Sequence, residues 1–161
     1  MTTCPDDSCL ILACGNSLRG DDGAALRLAE VLQQTPLPSG IRILVQQQWT
    51  RELAQEIADA ASVLFLDCSL TQAPGSVTLT PINLASTLPS LLAHHQDASS
   101  LLALAQSLYG CVPRHCAILL VGAQSIEHRE SISSVVEAAL PKALVMAHAW
   151  IDLHCPKHFT L

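Results

Sequence analysis

Two adjacent carboxylates, Asp21 and Asp22, stand just beyond an apolar segment in the stretch LACGNSLRGDDGAA, residues 12–25. A third, Asp67, closes the apolar run SVLFLDCS, and a pair of imidazoles, His94 and His95, precedes a helical pattern. Two carboxylates and an imidazole form a hard-to-borderline donor set. Such a set holds a divalent transition metal and leaves coordination positions open. Each residue also has a plainer use. Asp21 or Asp22 can cap a helix beginning at Gly23, where negative charge is favourable. Asp67 can end its strand in a turn. His115, His128, His148, His154 and His158 read as surface residues.

Other chemistries find less support. Ala13 stands where the first glycine of a dinucleotide-binding loop would be, and no Gly-Lys-Ser/Thr phosphate loop is present. Gly15 reads as a turn residue or one with positive φ. His-Glu-x-x-His is absent, as is a recognisable Ser-His-Asp or Cys-His nucleophile set. Net charge is −6 with no basic run, which argues against nucleic acid as a partner. The seven cysteines are odd in number, and neither Cys4/Cys9 nor Cys111/Cys116 has Cys-x-x-Cys spacing. Reduced thiols are expected, with Cys14 and Cys68 as small core residues. The N-terminus lacks the basic region of a secretory signal. The apolar stretch 139–151 is too short to cross a bilayer and is interrupted by Pro141, Lys142 and His148. The expected setting is cytoplasmic.

The elements that must position these residues follow from apolar periodicity. CLILACG, IRILVQ, SVLFLDCS and CAILLVGA read as strands. APGSVTLTPI gives a Pro-Gly turn and a short alternating strand, placed at a sheet edge by Pro81. Helices are expected over 23–34, over 50–60 with Thr50 as N-cap, and over 98–110 with Ser99 or Ser100 near its start and Gly110 as its stop. A last helix, 131–153, should kink or break at Pro141. Residues 83–97 read as irregular, and the tail from His154 as loose. Apolar strands alternating with helices imply a single α/β domain over 1–161, its core roughly 9–151, with helices on both faces of a mostly parallel twisted sheet. In such sheets ligands bind beyond the carboxyl ends of the strands, where the three polar features fall.

Together these residues resemble the nickel-iron hydrogenase maturation endopeptidases, which trim a C-terminal extension from the hydrogenase large subunit. GNSLRGDDG (15–23) resembles the family's N-terminal signature, and LFLDCS its second aspartate. HHQDASSLLALAQSLYG resembles its histidine segment and helix. LLVGAQSIEHRESIS, with the long helix after it, resembles its last strand and terminal helix. The likeness runs in order over roughly residues 9–150. It implies a three-layer α/β/α fold and a ligand set of Asp22, Asp67 and His95, with Asp21 shaping the loop. It further implies that the metal is nickel carried by the precursor, with no organic cofactor. A monomer is the default expectation, and composition gives no membrane or nucleic-acid partner.

The chain departs from the family at Ala13, where a glycine is common. It departs again after the second strand, where QQQWTRELA replaces an Asp-Gly-Gly-like run. Trp49–Ala54 looks more like members serving soluble bidirectional hydrogenases. Two rival functions are a non-catalytic checkpoint for nickel loading and a small nucleotide-binding domain at Gly15-Asn16.

Overall fold

The computed structural model describes residues 7–84 and 97–155. Five strands form one sheet in the order β2-β1-β3-β5-β4. They are β1 (Cys9–Cys14), β2 (Ile41–Gln46), β3 (Ser62–Ser69), β4 (Val77–Pro81) and β5 (His115–Gly122). β1, β2, β3 and β5 are parallel. β4 runs antiparallel along β5 at one edge, where Pro81 was expected to confine it.

Alternation along the central strands sorts side chains to two faces. Cys9, Ile11, Ala13, Leu64 and Leu66 pack with α1 (Ala24–Gln34) and α4 (Ser134–His154). Leu10, Leu12, Val63 and Phe65 pack with α2 (Leu53–Ala58) and α3 (Ala98–Tyr109). The result is the expected three-layer α/β/α arrangement. Both faces of β1 are covered, which is why its sequence is an unbroken apolar run.

Several local expectations are corrected. Thr50 does not cap α2. Residues 50–52 form a turn in which the Thr50 carbonyl accepts from the Leu53 N–H, and the helix starts later without a side-chain cap. α3 is capped by Asp97, whose carboxylate accepts from the Ser100 N–H at 2.7 Å. Gly110 ends it in the left-handed region, at φ 70°. β3 spans Ser62–Ser69, the run read from the sequence, so Asp67 lies within the strand two residues short of its end.

α4 passes Pro141 without a break. Pro141 faces solvent, so water can satisfy the carbonyl its ring leaves unpaired, and the buried stripe from Val136 to Ile151 continues past it. The uninterrupted helix has 21 residues and by length and composition alone is long enough to cross a membrane. Its apolar stripe is used against α1 and the sheet.

Reduced thiols throughout are also not found. Cys9 at the start of β1 and Cys155 just after α4 form a disulfide, with Cα atoms 5.7 Å apart. Cys111 is disulfide-bonded as well. Cys9 and Cys155 are 146 residues apart and become neighbours only in the folded chain, so spacing could not reveal the pair. Cysteine usage therefore does not argue for a reducing compartment. Nor is Cys155, buried at the end of α4, part of a loose tail.

Candidate functional site

The strand order reverses at β1: the chain leaves it through α1 to β2 on one side, then returns through α2 to β3 on the other. This is the switch point at which open α/β sheets leave a crevice. Asp22 lies in the loop after β1, and Asp67 near the carboxyl end of β3. The structure brings them together with Cys68, one donor atom from each lying within 4.8 Å of the others.

A short 3-10 turn, Gly20–Gly23, carries the two adjacent aspartates and points them in different directions. Asp21 is 1% exposed. Its Oδ1 accepts from the Ser133 N–H at 2.7 Å. Its Oδ2 accepts from Gln124 N–H at 2.8 Å, Ser125 N–H at 3.1 Å and the Ser133 hydroxyl at 2.9 Å. Burial alone would push this carboxyl up. The donors of Ser133, Ser125 and Gln124 outweigh it and hold the group below the usual carboxylate range. Asp21 thus fastens the β1 loop to the segment between β5 and α4. It caps neither aspartate-rich turn nor α1, whose N-cap Gly23 has no side-chain partner.

Asp22 turns towards the sheet. Its Oδ2 accepts from the Asn16 N–H at 3.0 Å, and its Oδ1 accepts from the Cys68 thiol at 3.3 Å. The first contact weighs against a nucleotide site, because a carboxylate takes the backbone donor that a phosphate would need.

Gly15 makes this approach feasible, and the reason is space rather than positive φ. A Cβ at Gly15 would collide with the Asp22 carbonyl oxygen. Gly15→Ala is therefore expected to displace the aspartate turn and destabilise the protein by about 2 kcal/mol or more, read from urea denaturation.

Asp67 belongs to the face of Val63 and Phe65, and Cys68 to the face of Leu64 and Leu66. The site therefore straddles the end of the sheet. Asp67 is fixed by its neighbours: Oδ1 accepts from the Cys68 N–H at 2.8 Å, and Oδ2 from the Trp49 ring N–H at 3.3 Å. Trp49 is itself braced edge-to-face on Phe65, with ring centroids 5.4 Å apart. Burial raises the Asp67 carboxyl to about 6 against those two hydrogen bonds, and the nearby charge of Asp22 adds to the rise. A cation between the two carboxylates would offset their repulsion, and the oxygen and sulfur donors suit a divalent transition metal.

Of the residues singled out from sequence, Asp22 and Asp67 converge. His94 and His95 lie outside the described residues. Sequence reasoning missed two participants. Cys68 was assigned to the core, although its place beside Asp67 at a strand end was a usable signal. Trp49 stood out only as a departure from the family's pattern, with nothing to place its ring beside Asp67. A groove of about 750 Å³ lies elsewhere, between Pro81, His115, Trp150 and His154 at the opposite end of β5.

No protein-family model matches the chain, and no curated protein matches it significantly. Solved structures do. The hydrogenase maturating endopeptidase HybD from E. coli is 24% identical, with 91% of this chain and 93% of that one covered and a TM-score of 0.73. A hydrogenase 2 maturation peptidase from a Thaumarchaeota archaeon is 26% identical over 91% and 99%, with a TM-score of 0.68. The [NiFe] hydrogenase maturation protease HybD from Thermococcus kodakarensis is 23% identical over 89% and 99%, with a TM-score of 0.67.

Proposed function

From a fold shared with hydrogenase maturation endopeptidases, we propose that this chain is itself such an endopeptidase. Its substrate is the precursor of a nickel-iron hydrogenase large subunit, from which it removes the C-terminal extension after nickel insertion. Asp22, Asp67 and His95 read the nickel that the precursor carries. The observation that carries the reading is the convergence of Asp22 and Asp67 at the switch point of this fold.

The chain's own residues would hold and orient the reacting segment. Trp49 and the Cys68 N–H aim the Asp67 carboxylate, and the Asn16 N–H aims that of Asp22. A metal between them would polarise the scissile carbonyl, activate water or position the peptide. Asp21 takes no part in the chemistry and keeps the Asp22 turn in place.

The test is a processing assay on nickel-loaded and nickel-free precursor, with the released C-terminal fragment followed by mass spectrometry. Cleavage of the loaded precursor alone is expected. Asp22→Ala and Asp67→Ala should each lower the rate about 100-fold or more while the fold persists. Cleavage of both precursors would discard nickel gating. Retained binding without any cleavage would instead assign a checkpoint that inspects nickel loading and does not cut.

A further inference from the structure

We propose that Cys68 is a metal-binding residue, its sulfur completing a two-carboxylate, one-thiolate donor set with Asp22 and Asp67. The inference rests on the reading of those carboxylates as metal donors and adds a sulfur to them. Three observations carry it. One donor atom from each of the three residues lies within 4.8 Å of the others, close enough to share one ion. The thiol is half-buried and already directed at the Asp22 carboxylate, 3.3 Å away. Its own backbone N–H holds the Asp67 carboxylate at 2.8 Å, so the position of Cys68 and the aim of Asp67 are set by one residue.

The step balances simply. A sulfur–metal bond forms, the S–H bond breaks, and the proton passes to solvent past Asp22, which now accepts that hydrogen bond. No electron changes hands. A thiolate in the set shifts preference away from hard ions such as Mg²⁺ and towards borderline and soft ions such as Ni²⁺, Co²⁺ and Cd²⁺. Cys68 would therefore act as a determinant of which metal the site accepts.

The experiment titrates Co²⁺ into the metal-free full chain, without precursor, and follows the near-ultraviolet sulfur-to-cobalt charge-transfer band. Wild type, Cys68→Ser, Cys14→Ala and Asp67→Ala are compared, each first shown to be folded by circular dichroism. Wild type and Cys14→Ala are expected to show the band. Cys68→Ser should lack it and bind Co²⁺ about tenfold more weakly or worse, with its preference over Mg²⁺ reduced. Asp67→Ala should lose binding altogether.

A band that survives in Cys68→Ser, or that disappears in Cys14→Ala instead, overturns the assignment of Cys68. If Asp67→Ala still abolishes binding in that case, the carboxylate reading stands without the sulfur. Full binding by Asp67→Ala, or none by wild type, overturns the three-residue donor set, while the reading of precursor-borne nickel stands or falls on the processing assay.

Discussion

Asp21→Ala is expected to destabilise the fold by about 3 kcal/mol or more, measured by urea denaturation. The substitution leaves three part-buried N–H groups and one hydroxyl without their acceptor. Each orphaned buried donor costs on the order of 1–3 kcal/mol, and total stability for a domain is about 5–15 kcal/mol. Asp21→Asn should recover only part of the loss. Its single side-chain oxygen replaces two, and its amide adds donors where donors already converge. The pH dependence supplies a second readout. The folded carboxyl lies below its unfolded value, so its contribution is complete above about pH 4 and is lost as pH falls through the folded pKa. The gap between wild type and Asp21→Ala should therefore narrow in acid. A difference below about 1 kcal/mol at neutral pH would remove the structural role assigned to Asp21.

The second large effect has the opposite sign. Asp67→Asn is expected to abolish processing and yet make the metal-free protein more stable at pH 8. Burial raises the Asp67 carboxyl from 3.8 to about 6, so the folded state holds this proton more tightly than the unfolded chain does. Stability from this group is fully present below about pH 4 and is lost as pH rises through about 6. Two pH units correspond to roughly 3 kcal/mol. Asparagine has one acceptor oxygen for the Trp49 and Cys68 donors, which returns part of the gain. A net advantage of about 1–2 kcal/mol at pH 8, vanishing by about pH 4, is the expected result. Thermal denaturation across that range checks it, and a variant less stable than wild type at pH 8 contradicts it.

The framework of the molecule was legible because burial on two faces leaves a plain mark. β1, β3 and β5 read as unbroken apolar runs, and the edge position of β4 follows from Pro81 and alternation. Asp22 and Asp67 were legible through their motifs and their places at strand ends. Other features depended on partners distant in sequence. Trp49 matters because its ring N–H reaches Asp67, 18 residues further along the chain. The four bonds of Asp21 bridge more than 100 residues, and nothing near Asp21 announces Ser133. Cys68 was hidden by a sound general rule, that a cysteine in an apolar strand is a small core residue. The rule failed because the last residues of β3 run past the end of β1 and leave the packed interior. At Pro141 the helix does not break, because the exposed position lets water satisfy the carbonyl that the ring leaves unpaired.

β1 and α4 are joined at both ends, by Asp21 and Ser133 above the sheet and by Cys9 and Cys155 below it. The lower joint has a mechanical meaning. Everything between Cys9 and Cys155, including the sheet and the aspartate site, forms a closed covalent loop. Tension entering at Cys9 and Cys155 would cross from one to the other through their sulfur bridge. A pull entering at those two residues would bypass the chain between them, which carries Asp22 and Asp67.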